Sequence, residues 1–396
     1  MSLLPRAKPS LEDYLIAGRV LGVVGQAALL TLFARDTSVA AFGAMNAQLG
    51  AMSFLQAPLD LGLTGLILRD GRTSSATTRA ALSFARRVSP VLLALSTIIA
   101  FVLQEALGLS NWTILLGVWC VTERLSEMML AGLIASGDGR PSVISAINRR
   151  AGTLALYILL ESRTGAEAAY ATALTISVIV DYWYVSRATR KVYGEAMGGS
   201  LALLRRSRHF AVASVAAQVR SLDVLLVSLV AGEAVAGLYA VPARLITPLR
   251  LIPTTLAQGT LARWGGTKGV RIRTTLHPVR RHLSAFLLLI VATALLTPWG
   301  VPAVLGMNYR AAVVPTLIVL LAVVLAAGTS ILTALRQATG DEARAGSSAT
   351  FGVTVTFCAI MILAPRLGAI GAALAIFVGF SSQLWLLAAR GKQLTW

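Results

Sequence analysis

A succession of apolar stretches of membrane-spanning length, joined by short polar connections, constrains this chain more than any other feature of its sequence. A bilayer core is crossed by roughly 20 apolar residues in a helix. About twelve such helices take about 240 residues by that measure, and the chain has 396. No length is left for a large soluble domain, which argues against an ATPase head or an extracellular catalytic domain here. Composition agrees: 56% of residues are hydrophobic and only 13% charged, against about 25% charged in soluble chains, and mean hydropathy is +0.74. Both cysteines, Cys120 and Cys358, lie inside apolar runs, which argues against a disulfide framework. The expected class is an all-α membrane protein.

The predicted spans are Leu11 to Phe33, Val39 to Leu68, Val88 to Leu103, Trp112 to Ala135, Val143 to Leu160, Ala168 to Ser186, His209 to Val230, Ala234 to Ala262, Leu283 to Thr297, Ala311 to Leu335, Ser347 to Ala364 and Ala369 to Ala389. The net charge of +18 would suggest nucleic acid in a soluble protein, but its distribution gives it another meaning. Most of the Lys and Arg fall in alternate connections on the side that holds both termini, with Arg140, Arg149 and Arg150 counted among them. The opposite connections hold only Arg35, Arg163, Arg310 and Arg366. Cytoplasmic loops are enriched in Lys and Arg, so the sequence predicts cytoplasmic termini and an even helix number. Attraction to anionic membrane lipids is a secondary effect, and nucleic-acid binding is a poor reading. The first apolar stretch, interrupted by Arg19, lacks a clear small-residue cleavage pattern and is expected to stay as a helix. Tyr14, Trp112, Trp264 and Trp299 near span ends suit interfacial anchoring.

The chain repeats itself. A shift of about half its length lays Val39-Ala40-Ala41-Phe42-Gly43-Ala44 over Val235-Ala236-Gly237-Leu238-Tyr239-Ala240, with Ala47 over Ala243 and Leu49 over Leu245. Near the ends of the halves, Gly165-Ala166 matches Gly368-Ala369 and Arg187 matches Arg390. With six helices per half, the repeats share orientation, which is the parallel-repeat plan of some transporters. The expected organisation is therefore two six-helix bundles, residues 1–200 and 201–396, related by a pseudo-two-fold axis along the membrane normal.

The sequence resembles the polysaccharide and lipid-linked oligosaccharide flippases of the multidrug/oligosaccharidyl-lipid/polysaccharide exporter superfamily. The likeness rests on Phe42-Gly43 followed by Leu59-Asp60-Leu61-Gly62-Leu63, on Leu222-Asp223 through Val235-Ala236-Gly237-Leu238-Tyr239, and on Leu367 to Ala375 before the last span. Where many relatives carry a basic residue after the aspartate, this chain has Val224 after Asp223. The resemblance implies two bundles around a central cavity that opens alternately to each side and moves a polyprenyl-diphosphate-linked sugar outward. It also implies that cavity arginines of the first and eighth helices hold the diphosphate.

Charged residues inside spans cost about 2.5–3.5 kcal/mol each on insertion scales, so each needs a reason. Arg19 lies roughly 12 Å into the first helix by the α-helical rise. Arg244 and Arg250 share the eighth span with Pro242, Pro248 and Pro253, residues that break backbone pairing and so suit a cavity wall. Guanidinium offers phosphate the planar paired donors that lysine lacks. These three are candidate substrate contacts, against the plainer reading of snorkelling or structural ion pairs. Arg220 is a further candidate, or else the ion-pair partner of Asp223 three residues on. Adjacent residues point apart on a helix, so Arg124 should find its partner on a helix other than its own. Glu123 and Glu127 share a helix face and are candidate coupling residues, either sharing a proton or balancing arginines. Asp60 and Asp223 are candidate gating or structural groups. Asp181, beside Tyr182 and Trp183, suits either a cavity or an interface.

His209, His277 and His282 fall at the basic-side ends, and the chain has neither a nucleotide-phosphate loop nor an H-E-x-x-H helix. No catalytic residue, metal or cofactor is therefore expected. Three readings follow: a flippase for a lipid-linked oligosaccharide, a drug or metabolite antiporter of the same superfamily, and a polytopic glycan polymerase or ligase. The short outer connections disfavour the enzyme, and arginines within spans favour an anionic substrate over organic cations. The expected partners are the lipid-linked glycan, membrane lipids and glycan-assembly enzymes, and the expected location is the plasma membrane of a bacterium, the inner one.

Overall fold

A computed structural model describes residues 11–70, 75–194, 202–245, 249, 253, 280–338 and 341–389. Among them there is no strand. Six helices are long and apolar enough to cross a membrane: Ser75–Ala106, Arg140–Thr164, Ala166–Tyr193, Leu283–Leu305, Met307–Arg336 and Ala343–Ala388. The chain forms two compact units, one of Met1–Thr37 with Gln48–Ser221, the other of Ser38–Ala47 with Leu222–Trp396. Against halves at 1–200 and 201–396, residues 38–47 group with the second unit and 201–221 with the first.

In the first unit, α1 (Leu11–Asp36) is followed by α2 (Val39–Leu59), whose residues up to Ala47 belong to the second unit, and by α3 (Leu63–Asp70), α4 (Ser75–Leu107) and α5 (Thr113–Ala135). Then come α6 (Arg140–Ala146), a π-helical turn (Ile147–Ala151), α7 (Gly152–Thr164), α8 (Ala166–Tyr193) and α9 (Ala202–Gln218). The span read as continuous from Val39 to Leu68 is broken. Pro58 lies in the last turn of α2, and the next residues leave the helix, with Leu61 at φ 52 and Gly62 at φ 70. Left-handed backbone at a non-glycine residue costs roughly 1–2 kcal/mol. The break is held by side chains: Thr64 donates its amide to the Asp60 carboxylate at 3.4 Å, its hydroxyl bonds the same oxygen, and Ser207 of α9 donates to the Leu61 carbonyl at 2.6 Å. Elsewhere the helices are tied by hydroxyl, thiol and carbonyl pairs, as suits a medium without water. Thr175 donates to Leu115 O at 3.1 Å, Tyr193 to Gly132 O at 2.8 Å and Cys120 to Met52 O at 3.0 Å. Phe33 stacks on Tyr170 with ring centroids 4.4 Å apart, and Tyr157 donates to Asp36 at 2.8 Å.

The second unit holds α10 (Asp223–Ala231), α11 (Glu233–Leu245), α12 (Arg280–Leu305), α13 (Val313–Ala338) and α14 (Glu342–Ala388). Its core is apolar, built on Phe286, Ile290, Val319, Leu320 and Val323, while Leu288, Leu295, Leu296 and Trp299 face outward. The two last predicted spans form one continuous element, α14, interrupted at Gly368 (φ 60, ψ −139), a backbone state open to glycine almost alone. Arg336, counted with the connections in the charge map, is instead 1% exposed. It donates to the Leu387 carbonyl at 2.6 Å and the Ala389 carbonyl at 2.9 Å, and Arg344 joins it on Ala389 at 2.8 Å. Two guanidiniums thus satisfy the unpaired carbonyls at the negative end of the helix dipole of α14.

Candidate functional site

The first unit gathers its charges around α5. Glu123, Arg124 and Glu127 lie on this helix, and their partners come from four other elements. Gln56 of α2 donates to Glu123 at 3.0 Å. Asp60, in the break before α3, stands 3.8 Å from Arg124. Asp181 of α8 is fully buried and accepts from Ser145 at 2.9 Å and from Ser126. Arg149 and Arg150 come from the π-turn.

Those two arginines correct the charge map, which counted them with a basic connection. They belong to the apolar span Arg140–Thr164 and lie within the charge cluster. Arg149 reaches Glu123 at 3.7 Å, Glu127 at 3.6 Å and Asp181 at 3.3 Å. Arg150 reaches the same Glu123 oxygen at 3.7 Å. Neighbours on a regular α-helix point about 100° apart, so two consecutive arginines would not readily meet one carboxylate. The π-turn adds a residue to the helical turn and lets them converge; such turns recur at functional sites. It has room because α1 presents Gly25 there, where a Cβ would stand only 2.8 Å from the Cβ of Arg150. The signal for these residues was present in the sequence: Val143 to Leu160 already reads as a span with both arginines inside it.

The structure places Arg149 within ion-pair distance of both Glu123 and Glu127. Arg124 corrects a second expectation. Its main partner is Glu127 on its own helix, three residues on, joined by the Gln56 carbonyl at 3.3 Å. The partner sought on another helix is the more distant Asp60.

The second unit contains a different kind of charge. The segments matched by the half-chain shift pack against each other: a Cβ at Gly43 would lie 2.0 Å from the Glu233 carbonyl, and one at Gly237 would lie 1.9 Å from the Val39 carbonyl. Only glycine at both positions lets the two backbones cross so closely. One turn past Gly43, the Asn46 carbonyl accepts from Arg244 of α11 at 3.3 Å. Arg244 Nε is buried with no hydrogen-bond partner, as are Asn46 Oδ1 and Tyr309 Oη. Among the described residues, no carboxylate pairs with Arg244. Asp223 opens α10 and accepts from Tyr239 at 2.8 Å and from the Val224 amide at 2.7 Å. Arg220 is half-buried on the 3₁₀ turn Val219–Leu222. Arg19 lies on α1, one residue after Gly18; its side chain, and the whole of Arg250, lie outside the described residues. No group of His, Cys, Asp and Glu able to hold a metal occurs among the described residues.

No family model and no curated protein matches the chain. Solved structures do. The lipid II flippase MurJ in an inward closed conformation has a TM-score of 0.70 at 13% identity, covering 97% of this chain and 88% of its own. An inward-facing multidrug resistance transporter of the MATE family, in the MOP superfamily, has 0.67 at 15%, covering 97% and 93%. A MOP superfamily transporter from Pyrococcus furiosus, described with a binding pocket of reverse polarity that suggests a different function, has 0.64 at 13%, covering 96% and 95%. These neighbours are transporters and a flippase rather than enzymes. The chain thus shares the fold of these structures, an all-α membrane fold of two six-helix bundles.

Proposed function

We propose that this chain is a transporter that flips a polyprenyl-diphosphate-linked oligosaccharide from the cytoplasmic to the outer leaflet by alternating access. The observation that carries this reading is Arg244, a cation within a span whose Nε is buried without a partner and which pairs with no carboxylate among the described residues. A partly buried cation with a buried, unpartnered donor is costly, and an anionic substrate is the natural compensation. An organic cation would be repelled from it. The flippase among the structural neighbours supports a lipid-linked cargo, and the neighbour with reversed pocket polarity supports charge as what separates substrates within this fold. Arg19, Arg250 and Arg220 are proposed as further substrate contacts, and Glu123, Glu127, Asp60 and Asp223 as coupling or gating groups. The reading includes cytoplasmic termini, a bacterial inner membrane, bundles at 1–200 and 201–396, and exchange of substrate with glycan-assembly enzymes.

The test is transport by the purified protein in liposomes, with a labelled lipid-linked oligosaccharide and, in parallel, a cationic dye. Protein-dependent flipping of the glycan lipid, lost in Arg244→Ala and poorly restored by Arg244→Lys, is the expected result. The MATE neighbours make a drug antiporter the second reading; movement of the dye and not of the glycan lipid would establish it instead.

A further inference from the structure

The charge cluster of the first unit contains unused binding capacity. A guanidinium carries five N–H donors, so Arg149 and Arg150 together present ten by that inventory. Their contacts with Glu123, Glu127 and Asp181 run from 3.3 to 3.7 Å, longer than the roughly 2.7–2.9 Å of a charge-assisted hydrogen bond. The arginines are therefore neutralised by distance but not saturated by hydrogen bonds. They are also reachable: the side chains are 15% and 23% exposed, and Glu127 beside them is 39% exposed. At the other end of the cluster Asp181 is fully buried, so exposure within the cluster rises toward Arg150 and Glu127.

We propose that Arg149 and Arg150 form a second anion site, for the diphosphate of the substrate, in which Glu123 and Glu127 hold the place of the ligand when it is absent. The inference rests on the flippase reading. Both guanidiniums converge on a single oxygen, Oε1 of Glu123, and a phosphoryl oxygen fits that position while its neighbours accept from the remaining donors. The displaced Glu123 keeps the bond from Gln56 to its other oxygen. Glu127 keeps Arg124, so neither carboxylate is stranded. Competition from built-in carboxylates weakens binding enough for release and offsets the arginines while the site is empty.

The test is binding of labelled inorganic pyrophosphate to the full chain in phosphatidylcholine nanodiscs. Saturable binding is expected, weakened about tenfold or more in Arg149→Gln and in Arg150→Gln, the cost of a lost charge-assisted bond. Glu127→Gln should move the other way and tighten binding, because it removes a competitor. Gly25→Val, which pushes on Arg150 without altering any charge, should weaken it. Unchanged binding in both arginine variants, or weaker binding in Glu127→Gln, overturns the proposal; should an arginine variant fail to assemble, the sign of the Glu127→Gln effect decides alone. Pyrophosphate binding abolished by phosphatidylglycerol in the disc would assign the site to phospholipid headgroups and overturn its assignment to substrate. Glycan-lipid flipping measured on the same variants separates the two ideas: flipping indifferent to both arginines removes this site and leaves the flippase reading, whereas arginine-dependent pyrophosphate binding without any flipping does the reverse.

Discussion

Arg336 of the second unit pairs with Asp341 at 2.9 Å, but two other partly buried arginine sites, one in each unit, are built in opposite ways. In the first, Arg124, Arg149 and Arg150 sit among Asp60, Glu123, Glu127 and Asp181, and every guanidinium has at least one carboxylate within 4 Å. In the second, Arg244 bonds a single backbone carbonyl and leaves Nε unsatisfied. A compensated charge adds cohesion and costs much to break. An uncompensated one is held at a cost by the surrounding fold, and removing it relieves that cost. On the flippase reading, the contrast predicts that loss of a compensated arginine destabilises the protein while loss of Arg244 impairs transport alone.

The comparison can be broken most directly at Arg149. Its replacement by Ala strands carboxylates on α5 and α8, and the expected loss is about 3–5 kcal/mol, read from chemical unfolding of the purified protein in detergent. A variant as stable as the wild type would mean that the cluster is not cohesive. Next is Gly43→Ala, whose methyl group meets backbone of α11 rather than a movable side chain; overpacking of this kind costs about 1–3 kcal/mol. It would show whether the glycine crossing, rather than any charge, keeps the Asn46 carbonyl against Arg244. Tyr239→Phe removes the hydroxyl from Asp223 and should cost about 1.5 kcal/mol. The smallest expected change is the most telling. Arg244→Ala should alter stability by less than about 1 kcal/mol, since it removes one long hydrogen bond together with an unsatisfied donor, while it abolishes flipping. A large loss of stability in this variant would erase the distinction between the units.

Much of the membrane fold is legible before any coordinates. Apolar length dictates where helices lie, because each span must cross the same hydrocarbon thickness. Glycine at 368 after Pro365 marks the division in α14 that the span boundaries anticipated. The half-chain repeat identifies the Gly43 and Gly237 segments. Less legible are interruptions within an apolar run. The break at Asp60 to Gly62 and the π-turn at Ile147–Ala151 are changes of backbone path, and hydropathy registers their polar residues without revealing that path.

The sequence by itself determined that this chain lies in a membrane and which residues carry charge there, since these follow from composition and spacing alone. Only the tertiary structure decided which charges meet. Arg149 and Arg150 read as loop cations until the π-turn turns them onto Glu123. Glu123 and Glu127 read as either sharing a proton or balancing arginines, and the structure adds that Arg149 lies within 4 Å of both. Arg336 reads as a topology marker until it caps α14. The physical reason is that an ion pair depends on distances of a few ångströms between side chains on different helices. Those distances are fixed by helix crossing, by glycine contacts and by a single added residue in a turn, none of which local sequence encodes.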